Sequence, residues 1–412
     1  MNFTFLHAAD LHLDSPLIGL GRKSREHAER VNDASRQAFD NMIDLAIQEE
    51  CRFVLIAGDV FDGAWRDYTT GLFFADRMRR LHEAGIAVFL ILGNHDAENK
   101  FASRLDLSPN VHLLSQRRVE SIGLDELGVV IHGRSFPQRD VLENLALEYP
   151  EAVPGRFNIG LLHTACTGRD GHARYAPCTV EQLANHGYEY WALGHVHSRE
   201  VLATDPYIVF PGNLQGRSAR ETGPKGATLV RVEDGMVIEA RHCPLDVVRW
   251  GVETVDVSGT DDMTSIHHLV RKAIEEAYAD AGGRALALRL RLVGETKMSH
   301  EVVAQRSIIR EEIDTIAMSV AADLWVESVE WRTTSPQGES AVDPTIAGTL
   351  RHAVDEIGLS PELLESLETM LAEIRVRIPA SAHADELFAD LRSSAPGRAI
   401  ELVNALIEQK QG

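Results

Sequence analysis

Cysteine is scarce. The 412-residue chain has four, Cys51, Cys166, Cys178 and Cys243, and none forms a CxxC pair. That excludes a disulfide scaffold and a thiolate zinc module. Cys51 and Cys166 fall in or beside apolar runs, where a reduced buried thiol is expected. Long apolar runs are missing too. None approaches the ~18 residues a membrane helix needs, so no membrane association is expected. The first residues carry no basic region, and Asp10 comes too early for a secretory signal. The expected location is cytoplasmic. Positive charge is also in deficit, with 41 Lys+Arg against 62 Asp+Glu and a net charge of −21. A simple basic nucleic-acid-binding module is disfavoured. An enzyme that handles nucleic acid through a local patch and bound cations is not. Lysine is rare even among the bases, 6 of the 41, which reads as base composition rather than function.

What is present is the balance of a folded globular chain, 44% hydrophobic and 25% charged. The charge is uneven. Residues 1–250 hold 26 basic and 34 acidic residues (net −8), and residues 251–412 hold 15 and 28 (net −13). Two regions of different electrostatics follow.

The first 245 residues alternate short apolar runs (Phe3–Leu6, Phe53–Ala57, Ile86–Leu92, Ile159–Leu162, Tyr190–Leu193) with amphipathic stretches such as Asp33–Glu50 and Thr70–Ala84. Strand–helix alternation predicts an α/β domain with a largely parallel core. Asp234-Gly235 predicts a hairpin turn. Beyond residue 245 the pattern predicts a βαβαβ unit. It comprises a strand at Val252–Val257, a helix over Asp262–Ala281 stopped by Gly282-Gly283, and a strand in which Leu286, Leu288, Leu290 and Leu292 alternate with Ala287, Arg289, Arg291 and Val293. A helix over Ser299–Ile316 and a strand at Leu324–Arg332 complete it. A polar linker, Thr333–Pro344, precedes a helical pattern to Gly412. The expected division is a catalytic domain at 1–245, a capping α/β domain at 246–340 and a helical region at 341–412.

Five clusters follow apolar strands: Asp10-Leu11-His12, Gly58-Asp59-Val60-Phe61-Asp62, Gly93-Asn94-His95-Asp96, His163, and Gly194-His195-Val196-His197. In an open parallel sheet, loops at the carboxyl ends of the strands lie together, so the five clusters are expected to converge. Imidazole, carboxylate and amide oxygen suit Mn, Fe, Zn or Mg. Asp10, His12, Asp59, Asn94, His163, His195 and His197 are too many ligands for one tetrahedral zinc. They suit two ions sharing a carboxylate, an arrangement that clamps a phosphoryl group and activates water. Singly, each cluster has a bland alternative: a helix cap for Asp59 and Asp62, a tight turn for Gly93-Asn94, satisfied core histidines for the rest. The ordered set, each member after a strand, is what those alternatives do not produce.

These motifs resemble the calcineurin-like metallophosphoesterase superfamily, whose pattern is DxH, GDxxD, GNH[DE], H and GHxH. The resemblance implies two packed β-sheets flanked by helices and a two-metal phosphoester hydrolase. It implies Asp10, His12, Asp59 and His197 as ligands of one ion and Asp59, Asn94, His163 and His195 as ligands of the other, with Asp59 bridging. The ions would be two divalent metals, Mn2+ first, with Mg2+, Fe2+ or Zn2+ as alternatives. His95 resembles the superfamily's catalytic histidine, and Asp96 is expected to hydrogen-bond and orient it. Asp62 reads as a loop-positioning residue. His7, Phe61 and His132 read as core or loop residues. Arg217 is a candidate substrate contact, and Lys225 is ambiguous between that role and neutralising nearby carboxylates.

A finer resemblance lies in His7-Ala8-Ala9-Asp10-Leu11-His12-Leu13-Asp14-Ser15-Pro16 and in Phe210–Arg217 with Glu221–Gly226. These match the YhaO-like branch of DNA-repair exonucleases, which is similar to SbcD, the nuclease subunit that works with the coiled-coil ATPase SbcC. It implies a DNA substrate, an SbcC-like partner and a homodimer. Arg77, Arg79 and Arg80, Arg117 and Arg118, or Arg289 and Arg291 could bind phosphates, although a solvated charged face is the favoured reading for each. Two rivals stand beside the nuclease. One is a phosphodiesterase or phosphatase for small molecules or nucleotides; the other is a non-catalytic scaffold for the ATPase.

Overall fold

A computed structural model describes residues 1–15, 17, 25–62, 68–98, 105–166, 175–336 and 369–370. Two compact units divide the chain: Met1–Gly251 with Arg284–Ala287, and Val252–Gly283 with the described part of Leu288–Gly412. Apart from Thr369 and Met370, the helical region expected over 341–412 lies outside the described residues.

The first unit contains β1 (Phe3–Ala8), α1 (Arg25–Gln48), β2 (Phe53–Ala57), α2 (Thr69–Glu83), β3 (Ala87–Ile91), β4 (Val111–Leu113), β5 (Glu120–Leu124), β6 (Val129–Gly133), β7 (Phe157–His163), α3 (Val180–Ala184), β8 (Tyr190–Gly194), β9 (Glu200–Thr204), β10 (Tyr207–Phe210), β11 (Gly226–Glu233) and β12 (Met236–Pro244). They form two six-stranded sheets, β12-β11-β1-β2-β3-β4 and β5-β6-β7-β8-β10-β9. The expected fold class, two packed β-sheets flanked by helices, is the one observed. The expected crevice of a single open sheet is not. Parallel pairing runs β1-β2-β3-β4 in one sheet and β6-β7-β8-β10 in the other, so the five motif-bearing strands are shared between two sheets.

The inner faces of the sheets meet in an apolar layer. Phe5 and Phe53 stack with centroids 5.0 Å apart, and Phe5 meets Tyr190 edge-on at 5.2 Å. Ile131, Ile159 and Ala192 complete the layer from the second sheet. Strands covered on both faces must read as continuous apolar runs, and β2, β6 and β8 are buried at every residue. The outer face of the first sheet is covered by α1 and α2, through Phe39, Met42, Phe74 and Met78. The predicted hairpin forms, with Asp234 and Gly235 at φ 50° and 77° joining β11 to β12.

The second sheet's successor is a smaller one, β13 (Val248–Asp256), β14 (Ala285–Glu295) and β15 (Leu324–Thr334), hydrogen-bonded in that order. The Asp262 side chain caps α4 (Met263–Asp280) by accepting from Ser265 N. The single helix expected over 299–316 is two helices, α5 (Ser299–Ala304) and α6 (Arg306–Val320), broken at Gln305, whose ψ of 24° leaves the helical range. In β14 the leucines of the period-two pattern are fully buried. Arg289 and Arg291 stand on the other face and pair with Glu327 and Glu330 of β15.

Candidate metal centre

Each motif sits at the end of a parallel strand, as the pattern requires. The Asp10–His12 segment leaves β1, the Asp59–Asp62 segment leaves β2, and Asn94–Asp96 follows β3. His163 ends β7, and His195 and His197 follow β8. Asp10, His12, Asp59 and His195 have positive φ (51°, 42°, 51° and 102°). Non-glycine residues avoid that region at a cost of about 1–3 kcal/mol each, and strain of this kind gathers at functional sites.

The side chains converge. Among the described residues, Asp10, His12 and His197 place one ligand atom each within 4.8 Å of one another, and so do Asp59, His163 and His195. His12 Nε2 and His197 Nε2 are 3.2 Å apart, with Asp10 Oδ1 3.9 Å from His197 Nε2. His163 Nε2 lies 3.0 Å from Asn94 Oδ1 and 3.5 Å from Asp59 Oδ2, and His195 Nδ1 lies 3.3 Å from Asn94 Oδ1. The seven sequence-predicted ligands therefore lie together.

Electrostatics favour cations here. Asp10 and Asp59 are buried at 1% exposure each. Burial first, and for Asp10 also the charge of Asp59, pushes both carboxyls above their ordinary values. Burial also lowers His12 well below its ordinary value, His163 to about 4, and His197. The imidazoles are thus neutral with lone pairs available, while two adjacent carboxylates need positive charge. His163 Nδ1 donates to Ala57 O at 2.8 Å, which leaves its Nε2 bare toward Asn94 and Asp59. Among the described residues Nδ1 of His12 is buried without a hydrogen-bond partner, with Asp62 Oδ1 3.8 Å away. The donor set is imidazole, carboxylate and amide oxygen, and it fits divalent ions.

Gly93 is required by close approach. A Cβ there would sit 2.2 Å from Asp59 Oδ1. The carboxylate needs that space because it also accepts from His95 N at 2.9 Å.

His95 lies at the rim, 25% exposed, with its ring 5.0 Å from that of His12. The expected bond from Asp96 is not formed. Asp96 accepts instead from the backbone N–H groups of Val60 (3.1 Å), Phe61 (2.9 Å) and Gly93 (3.0 Å), pinning two motif loops together. Its side chain runs back under the loop because three buried donors there need an acceptor. The residue that meets His95 is Asp62, at 2.9 Å from Nδ1. Asp62 also accepts from Ser15 Oγ at 2.8 Å. With His12, Asp62 and His95 form a third group of possible ligands.

Arg217, the candidate substrate contact, is mostly buried. Its Nη2 lies 3.1 Å from Glu221 Oε1 and 3.2 Å from His197 Nδ1. Lys225 Nζ donates to His197 O at 2.8 Å. Asp62 and Glu221 are the functional candidates whose partners the sequence reading missed. Asp62 was findable as the last position of the GDxxD motif. Glu221 opens the Glu221–Gly226 segment of the finer resemblance, but it lies 24 residues from His197 and nothing local names that partner. The Arg77–Arg80 cluster is engaged: Arg77 with Asp40 and Asp76, Arg79 with Asp76 and Glu83, Arg80 with Asp44. His7 and His132 are buried, and Phe61 packs in the core beside Phe74. Among the described residues no helix is long and apolar enough to cross a membrane.

Comparison with known proteins agrees with this geometry. The calcineurin-like phosphoesterase family matches residues 3–199, and the middle domain of metallophosphoesterase YhaO matches residues 250–334. An uncharacterised metallophosphoesterase YhaO of Bacillus subtilis is 33% identical over 374 residues, covering 89% of this chain and 90% of that one. DNA double-strand break repair proteins Mre11 are also similar. That of Haloferax volcanii is 24% identical over 93% of this chain and 82% of its own length, and that of Methanopyrus kandleri is 25% identical over 65% and 62%. The chain belongs to the YhaO family of calcineurin-like metallophosphoesterases, metal-dependent phosphoester hydrolases.

Proposed function

We propose that the protein is a two-metal phosphodiesterase acting on DNA in repair, together with a coiled-coil ATPase of the SbcC type. The observation that supports the chemistry best is the meeting of two ligand groups, Asp10–His12–His197 and Asp59–His163–His195, with a solvent-facing His95 at their rim. Two divalent ions, Mn2+ in the first place, would offset the charge of a phosphodiester and lower the pKa of a water that attacks phosphorus in line. Asp10, His12, Asp59 and His197 would hold one, and Asp59, Asn94, His163 and His195 the other.

The protein's own groups do the rest. Asp62 orients His95 and favours its protonated form. His95 then stabilises developing charge or delivers a proton to the leaving oxygen. Asp96 keeps the Asp59 and Asn94 loops in register through its three backbone bonds.

Similarity to Mre11 proteins supports DNA as substrate. The paired state of the Arg77–Arg80 and Arg289–Arg291 clusters supports a DNA affinity that depends on metal and partner rather than on a basic surface. The test incubates the purified chain with linear duplex, single-stranded DNA and an aryl phosphodiester, in Mn2+, Mg2+ or chelator, with and without the ATPase. DNA degradation in Mn2+ is expected. Hydrolysis of the aryl ester alone would transfer the assignment to a small phosphodiester, and no hydrolysis under any condition would favour a scaffold. Tight DNA binding in chelator would also count against the proposal.

A further inference from the structure

Glu221 has a bonding pattern that its place in a surface-connecting loop does not require. Its carboxylate is mostly buried, and it meets His197 Nδ1 at 2.7 Å through Oε1, which Arg217 Nη2 also approaches at 3.1 Å. Oε2 accepts from Asn213 Nδ2 at 2.9 Å and from Arg217 N at 2.7 Å. Asn213 Nδ2, Arg217 N and Arg217 Nη2 all donate to this carboxylate, so it is the acceptor in its 2.7 Å contact with His197 as well. His197 therefore donates from Nδ1 to the nearer Glu221 Oε1, with Arg217 Nη2 farther off at 3.2 Å, and its Nε2 faces the side where His12 Nε2 and Asp10 converge.

The loop that carries Glu221 is itself held rigidly. Gln215 accepts from Val247 N and Val248 N through Oε1 and donates to Val248 O through Nε2. Trp250 Nε1 donates to Gly216 O at 2.8 Å, and Gly223 N donates to Trp250 O at 3.0 Å. A Cβ on Gly216 would sit 2.7 Å from Glu221 O and 2.9 Å from the Trp250 ring, so only glycine permits this approach. Lys225 Nζ meanwhile holds the carbonyl of His197.

We propose that Glu221 is the positioning residue of His197. It fixes the tautomer and the ring plane so that Nε2 can ligate a divalent ion, and Arg217 and Asn213 serve to hold Glu221. The inference rests on the two-metal reading above. Without the carboxylate, the imidazole can take the other tautomer, and a proton on Nε2 opposes the cation. Outer partners of this kind typically change metal affinity by about 10–100-fold.

The test is calorimetric titration of the metal-free full chain with Mn2+, for wild type, Glu221→Gln and Glu221→Ala, with far-UV circular dichroism to confirm folding. Two binding events are expected for wild type. In both variants one of them should weaken by about 10–100-fold and the other persist. Wild-type affinities for both ions in the folded variants would overturn the role of Glu221 and leave the two-metal reading standing. Failure of wild type to bind a divalent ion would overturn both. Should the variants not fold, 15N NMR of the metal-free wild-type histidines decides: Nδ1–H at His197, assigned by comparison with His197→Gln, supports the role, and Nε2–H overturns it.

Discussion

His95 Nδ1 lies 2.9 Å from Asp62 Oδ1, while Asp96, its neighbour in sequence, points into the loops beneath. Burial alone would lower the pKa of His95. The Asp62 hydrogen bond and the charges of Asp59 and Asp62 reverse this and raise it above the ordinary histidine value. A raised pKa suits a proton donor working near neutral pH. The two carboxylates thus have separable functions, one electrostatic and one architectural.

Substituting each one separates those functions. Asp62→Asn removes a charge that stabilises the imidazolium, so the pKa of His95 falls. With His95 acting as an acid, activity is held below that pKa. The alkaline limb of kcat against pH should move to lower pH, and kcat should fall by about 10²-fold, with metal stoichiometry retained. An unmoved limb would sink the assignment. Asp96→Ala instead leaves three buried N–H groups without an acceptor. Bonds to charged groups contribute about 1.5–3 kcal/mol each, and they are not additive, so a loss of about 3–5 kcal/mol in denaturant unfolding is expected.

Metal and protons should compete. In the metal-free protein, Asp10 and Asp59 are raised by burial, and Asp96 is raised to about 7 by burial and by the charge of Asp59. A folded pKa above the unfolded value means stability that is complete below the unfolded value of 3.8 and is lost as pH rises through the folded one. Bound cations keep the carboxylates ionised and remove this loss. The rise in melting temperature on replacing chelator by Mn2+ should therefore grow as pH rises above about 4. A pH-independent rise, or none, would contradict the site.

His7 offers a test away from the ligands. Its Nε2 donates to Leu193 O at 3.1 Å, and its Nδ1 accepts from Tyr190 OH at 3.0 Å. Burial lowers its pKa from 6.5 to about 3. Here the folded value is depressed, so the contribution is present above 6.5 and is lost as pH falls toward 3. Between those limits the slope approaches about 1.4 kcal/mol per pH unit for one proton. In denaturation in chelator between pH 4 and pH 7, the stability of wild type relative to His7→Gln should grow as pH rises. Parallel slopes would mean that the ring titrates alike in both states.

Gly93→Ala should displace Asp59, because the new Cβ would lie 2.2 Å from Oδ1. Asp59 is assigned to both ions, so both Mn2+ binding events should weaken together in calorimetry, in contrast to the single event affected at Glu221. Weakening of only one event would show that Asp59 is not shared, and wild-type binding would remove it from the ligand set.

How far the sequence reaches is clear from individual residues. The apolar runs at Phe53–Ala57 and Tyr190–Leu193 are strands because only extended chain buried on both faces needs every side chain apolar, and the ligand set follows from motifs placed at strand ends. The alternation at Leu286–Leu292 likewise places Arg289 and Arg291 on the open face, although not their pairing with Glu327 and Glu330. The break at Gln305 has no glycine or proline to announce it.

The sequence by itself determined the strands, the family and the seven side chains that could hold ions, because hydrophobic periodicity and motif spacing are local properties. Tertiary structure decided that the motif-bearing strands divide between two sheets packed face to face. It also decided that Asp62 rather than Asp96 meets His95, and that Glu221 meets His197. Those pairings depend on which loops the sandwich brings together and on where buried N–H groups need an acceptor, and neither is encoded in the spacing of residues along the chain.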